Sequence, residues 1–227
     1  KRNLIYVLIL SIGLIFVYLL MRGGEELDKR RFIQPDKLYE TIEANLKNQK
    51  GYEIIVDIDH ARLAQKAGSP MPPAHILLWS DPQLETEILK HNPMAAVDLP
   101  LRILAFENPA TGKGAVIANA FDFMMKRHDL PEDTIIKERY DTAISKATQG
   151  ISQDSITKFD STPMVNRGLV ILNSSHDFNR TKTLIMDAIN AQDDTVLFTT
   201  VDFTERAKKL GVNLTPIHLI LFGAPGP

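Results

Sequence analysis

The sequence predicts a chain of mixed helices and strands in which one module is written twice behind an N-terminal transmembrane helix. Two observations carry that expectation. Residues 59 to 82 align without a gap on residues 202 to 225, agreeing at Asp59/Asp202, Ala64/Ala207, Lys66/Lys209, Gly68/Gly211, Pro73/Pro216, His75/His218, Leu78/Leu221 and Pro82/Pro225. Eight matches in 24 positions at a constant offset of 143 stand against roughly one or two by chance, which is the mark of an internal repeat. The second observation is the uncharged run LIYVLILSIGLIFVYLLM from Leu4 to Met21, which as a helix would span about 27 Å, close to the hydrocarbon thickness of a bilayer.

The resulting organisation is an anchor over residues 1–22, a polar juxtamembrane link over 23–34, a first module over 35–149, a linker over 150–165 and a second, incomplete module over 166–227. The apolar run ends in LLMRGGEE rather than in small residues of A-x-A type, so a retained anchor is expected in place of a cleaved signal peptide. Lys1 and Arg2 on one side face Arg22, Lys29, Arg30 and Arg31 on the other, so the positive-inside rule does not decide orientation. A short N-terminal anchor before a long globular chain points to an extracytoplasmic location. The balance of 26 Lys and Arg against 28 Asp and Glu gives no field for a duplex nucleic-acid binder working by counterion release. With no cysteine, disulfides, thiolate catalysis and thiolate metal sites are excluded.

Each element follows from local signals. Leu38, Ile42 and Leu46 recur every fourth residue in a helix from Pro35 to Asn48, with Pro35 suited to its first turn. Tyr52 to Ile58 is rich in β-branched residues and reads as a strand. Asp59 opens a short helix through Ala67, closed by Gly68. In the second copy Asp202 and Glu205 have capping-box spacing, which gives the aspartate a structural reason to be there. The nearly continuous apolar run Ala74 to Ser80 reads as a central strand, and Pro82 begins a helix carrying Leu84, Ile88 and Leu89.

Leu101 to Phe106 and Gly114 to Asn119 form a hairpin around NPATGK. Helices follow from Phe121 to His128 and from Pro131 to Thr148, and the Ser-, Thr-, Asp- and Gln-rich stretch from Gly150 to Pro163 is expected to be linker. Beyond it the pattern predicts a strand at Gly168 to Leu172, a helix at Asp177 to Asn190, a strand at Thr195 to Val201, a helix at Asp202 to Leu210 and a strand at Ile217 to Phe222. Counting back 143 from Gly168 to Leu172 lands on EELDK, so the first module lacks a comparable opening strand and leaves an edge that can accept one. The second copy stops in mid-module, the pattern expected of a fragment of a longer chain.

These motifs, Asp59-His60-Ala61 after a strand, WSDP at Trp79 to Pro82 with FGAP at Phe222 to Pro225, and VDLPLRILAFEN at Val97 to Asn108, resemble the domain-of-unknown-function 302 family in tandem copies. The resemblance implies a compact α+β module with helices packed on one face of a mostly antiparallel sheet, and it implies no reaction. Trp79-Ser80-Asp81 stands where the family pattern has Phe-Gly-Asn, and Phe203 replaces the histidine of the Asp-His pair in copy two.

Four residues are candidates for ligand binding: Asp59, His60, His75 and Asp98. A carboxylate beside an imidazole at a strand-to-helix junction suits acid-base work, although Asp59 serves equally as a helix cap. His75 and His218 hold equivalent strand positions, where a packing role competes with ligation. Asp98 brackets the Leu99 to Phe106 strand together with Glu107 and is placed near Asp59, unless it only satisfies the turn before Pro100. His91, His128 and His176 show no metal-binding spacing, and NPATGKG lacks the spacing of a phosphate loop. No catalytic set, metal site or cofactor is assigned. The expected function is therefore a membrane-anchored protein that binds a small ligand or protein partner, with modules packed on each other or on another copy. The alternative is a hydrolase or isomerase using the Asp59/His60 pair.

Overall fold

The computed structural model describes residues 29–159 and 168–224. The proposed anchor at residues 4–21 lies outside them. Among the described residues no helix is long and apolar enough to cross a membrane.

Helix α1 covers residues 29–47, so Pro35 sits inside it and does not open it. The expected apolar face is the one that packs, with Ile42 and Leu46 each 1 % exposed. Helix α1 lies along the sheet and is tied at both ends. Arg31 makes two hydrogen bonds to the Glu107 carboxylate at 2.7 and 2.8 Å, and Asn45 Nδ2 donates to the carbonyls of Ala147 and Gln149. Between them the backbone N–H of Gly114 donates to Gln34 Oε1 at 2.8 Å. A Cβ at Gly114 would lie 2.7 Å from that of Gln34, so glycine is what allows the close approach.

The chain then builds β1 (Glu53–Asp59), α2 (His60–Lys66), β2 (Ala74–Ser80), α3 (Pro82–His91), a 3-10 turn at Pro93–Asp98, β3 (Leu101–Glu107), β4 (Gly114–Asn119), α4 (Phe121–His128) and α5 (Thr134–Ala147). Strands β1 to β4 are antiparallel neighbours in sequence order. A fifth strand, β5 (Ile156–Phe159), closes the β4 edge in parallel. This strand falls within the stretch read as linker over Gly150 to Pro163. It covers the β4 edge with the protein's own chain. Along β3, Leu101, Ile103 and Ala105 are buried while alternate residues are half-buried, the period-2 pattern of a sheet covered more fully on one face. The architecture is thus α+β around a mixed sheet.

The C-terminal unit consists of α6 (Phe178–Asn190), β6 (Val196–Asp202), α7 (Phe203–Lys209) and β7 (His218–Gly223). Every register pair of β6 and β7 equals a β1–β2 pair shifted by 143, from Glu53↔Ser80 and Val196↔Gly223 to Asp59↔His75 and Asp202↔His218. The irregularity between Ile54 and Val56 recurs between Leu197 and Thr199. Gly68 and Gly211 both hold positive φ, at 80° and 76°, after their short helices. The predicted strand at Gly168 to Leu172 does not form. Among the described residues no strand pairs with them, and Val170 and Leu172 are almost fully exposed.

One hydrophobic core joins the parts. Trp79, Leu84, Ile88, Leu101, Phe121 and Met124 occupy the centre, and Val201, Phe203 and Ile217 of the C-terminal unit belong to the same cluster. Helix α7 packs on α3, and β7 approaches the 3-10 turn before β3.

Candidate functional site

The junction between β1 and α2 is built as a helix start. Asp59 caps α2 by accepting from the Arg62 backbone N–H at 2.9 Å. The guanidinium of Arg62 also bonds the Asp59 carboxylate and grips Asp36 of α1 with bonds of 2.7 and 3.0 Å. Its planar face lies 4.7 Å from the centre of the Phe32 ring. Two carboxylates on one guanidinium hold its proton more tightly than usual, first through the Asp36 hydrogen bonds and then through Asp59.

His75 enters from β2, directly across the ladder from Asp59, with Nδ1 3.9 Å from Asp59 Oδ2. Tyr39 of α1 stacks on the imidazole at 3.6 Å between ring centres and 6° between planes. Burial lowers the His75 pKa, against the pull of Asp59 and Asp57, so the ring is held neutral. Its Nε2 is buried without a hydrogen-bond partner among the described residues. The Tyr39 hydroxyl donates to Asp57 Oδ2 at 3.0 Å, and burial together with that carboxylate raises the phenol pKa. The junction is therefore an open series of contacts running from Asp36 through Arg62, Asp59, His75 and Tyr39 to Asp57, with Asp36 and Tyr39 supplied by α1. Asp36, Tyr39 and Arg62 escaped sequence reasoning, since only the helix crossing brings them to the junction.

The four candidate residues do not share one place. Asp59 and His75 meet. His60 is exposed on the first turn of α2, and among the described residues no hydrogen bond or ion pair joins it to Asp59. Asp98 is a correction of position. His75 pairs with Ala105, whereas Asp98 precedes Leu101, which pairs with Trp79 at the other end of β2. Four strand residues separate those rows, about 13 Å. Asp98 is instead 6 % exposed in a buried ionic knot, with Oδ2 2.6 Å from His128 Nε2 and Oδ1 3.2 Å from Arg127 Nη1. Among the described residues no three His, Asp or Glu side chains are grouped to hold a metal ion.

The C-terminal unit repeats the central pair and changes its surroundings. Asp202 caps α7 through the Glu205 N–H at 2.9 Å, and His218 Nδ1 lies 3.7 Å from Asp202 Oδ2. At the offset of 143, Lys182 stands for Tyr39, Asn179 for Asp36, Glu205 for Arg62 and Phe203 for His60. Burial, with Lys182 nearby, lowers the His218 pKa. Removing either cap is expected to have a modest effect. Asp59→Ala and Asp202→Ala should each cost about 1 kcal/mol, read as a shift of about 2–4 °C in Tm.

Fold and site together define a small α+β module of helix, hairpin-like strand pairs and a capped strand-to-helix junction. The family model for the domain of unknown function DUF302 matches residues 29–148, 120 of the 227 residues, and the chain belongs to that family. A crystal structure of an uncharacterized conserved protein DUF302 from Bacillus stearothermophilus is similar, with TM-score 0.40 and 18 % identity, over 50 % of this chain and 87 % of that one. Two proteins described as Fluoride-specific ion channel FluC 1 are each 31 % identical over 93 residues. One is from Brucella suis biovar 1 and the other from Brucella abortus biovar 1. The match takes in 40 % of this chain and about a third of those relatives, 36 % and 34 % of their lengths.

Proposed function

We propose that the protein is a membrane-tethered binding protein made of two related modules, with a small-ligand or partner site at the β1–α2 junction of the first. The observation that carries this reading is the cross-strand Asp-His pair, present at the same register position as Asp59/His75 and Asp202/His218 while its neighbours differ. A pair kept only for capping would need no histidine opposite the cap. The matching registers, matching strand irregularity and constant offset support a duplicated module, and the shared core supports packing of one module on the other. The uncharged run at residues 4–21 supports the tether, with the globular part outside the cytoplasm.

A thermal-shift screen on the full chain with inorganic phosphate, divalent metal salts and small carboxylates tests the site. At least one probe should raise Tm, by an amount that depends on its concentration relative to Kd, and His75→Ala should abolish the rise. If no probe moves Tm while Asp59→Ala removes only the cap contribution, the junction is structural and the binding reading fails.

A further inference from the structure

The contact between α7 and the first module closes over a carboxyl group. Glu85, on the first turn of α3, is 1 % exposed. Its Oε2 accepts from Ser80 Oγ at 2.6 Å, and its Oε1 is buried without a hydrogen-bond partner among the described residues. From α7, Arg206 Nη1 donates to the same Ser80 Oγ at 3.1 Å and pairs with Glu53 Oε2 of β1 at 3.0 Å. We propose that Glu85 is a proton-operated latch for the C-terminal unit: neutral, it lets α7 stay seated on α3, and ionised, it lifts α7 away.

An ionised Glu85 would have one hydroxyl donor and a bare oxygen in a water-excluded seam, a costly arrangement. The charged groups facing it oppose one another. Arg206 from α7 favours the anion, while Glu53 from β1 and Asp81 at the N-cap of α3 disfavour it, and Asp81 is itself engaged by Arg139 of α5 at 2.7 and 2.9 Å. Arg206 also divides its charge with Glu53, which is mostly exposed. Burial is the largest influence, and the carboxyl is pushed up to about 7 from an ordinary 4.5. A carboxyl raised on folding contributes its stabilisation below the unfolded pKa and loses it as pH climbs from about 4.5 through 7. Helix α7 lies against α3 and sends Phe203 into the core that also holds α3 and β2, so admitting water to Oε1 from this side means opening that contact.

Hydrogen exchange of the α7 amides in the full chain, corrected for intrinsic rates, tests the latch between pH 5.5 and 8.5. Protection should fall by about ten-fold or more between pH 5.5 and 8.5, most of it below about pH 7, given a ten-fold change per unit of pKa difference. Glu85→Gln should keep α7 protected and flatten the profile, and Arg206→Gln, which removes a cation favouring ionisation, should move the upper end of the transition to higher pH. Protection independent of pH in the wild-type chain overturns the proposal, as does a transition that persists unchanged in Glu85→Gln.

Discussion

Asp98→Ala is expected to lower folding stability by about 3–5 kcal/mol, the usual cost of removing one partner from a buried ion pair. The aspartate is a candidate ligand residue by sequence, and its surroundings make it a structural one. Its two oxygens serve His128, 1 % exposed, and Arg127, and its charge supports Arg102, whose pKa burial pushes down. Arg102 Nη2 donates to the Val97 carbonyl at 2.8 Å, and Asn92 Nδ2 donates to the His128 carbonyl at 2.7 Å, so the knot also fixes the 3-10 turn and the end of α4. Deleting the carboxylate would leave imidazole and guanidinium groups buried without it. In thermal unfolding the loss should appear as a drop of about 6–20 °C, far beyond the effect of removing the Asp59 cap. Asp98→Asn, which keeps one acceptor, should fall between the two. A loss below about 1 kcal/mol would mean that the knot is solvated in solution, and Asp98 would return as a candidate for binding.

The contrast between Asp59 and Asp98 shows what the sequence could reveal. The β1–α2–β2 unit was legible because its signals are local. A β-branched run, a capping aspartate, a glycine at positive φ and a seven-residue apolar strand lie within 28 residues, from Glu53 to Ser80. The same signals 143 residues on made the C-terminal unit equally readable. The Asp98–His128 pair was not legible, because its members are 30 residues apart and meet only when the 3-10 turn packs on α4. Strand β5 was missed for a related reason. Its four residues lie in polar sequence and become a strand only by pairing with β4. Conversely, Val170 to Leu172 has strand composition but no strand partner among the described residues, so β propensity alone does not make it one. Helix α1 continues through Pro35, where tertiary ties from Arg31 and Gln34 outweigh a residue that usually marks a boundary.

Equivalent register positions in the two sheets should respond unequally to the same truncation. Trp79 pairs with Ile54 on one side and Leu101 on the other and is 0 % exposed. Phe222 pairs with Leu197 at the shifted position and is 50 % exposed, since no strand corresponding to β3 lies beside β7 among the described residues. The asymmetry extends to the covering helices, where Ile42 of α1 is 1 % exposed and Ile185 of α6 is 44 % exposed. Trp79→Ala should therefore cost about 3–5 kcal/mol, combining lost burial with the cavity left in a rigid core. Phe222→Ala should cost under about 1 kcal/mol, as for a partly solvated side chain. Trp79→Phe separates volume from polarity. Among the described residues the buried indole Nε1 has no hydrogen-bond partner, so the smaller ring relieves an unsatisfied donor while shrinking the core, and the net loss should stay below about 1.5 kcal/mol. Urea unfolding of the three variants at fixed pH, with midpoints and slopes compared, measures all of these. Equal losses for Trp79→Ala and Phe222→Ala would show that the open face of β7 is covered in solution.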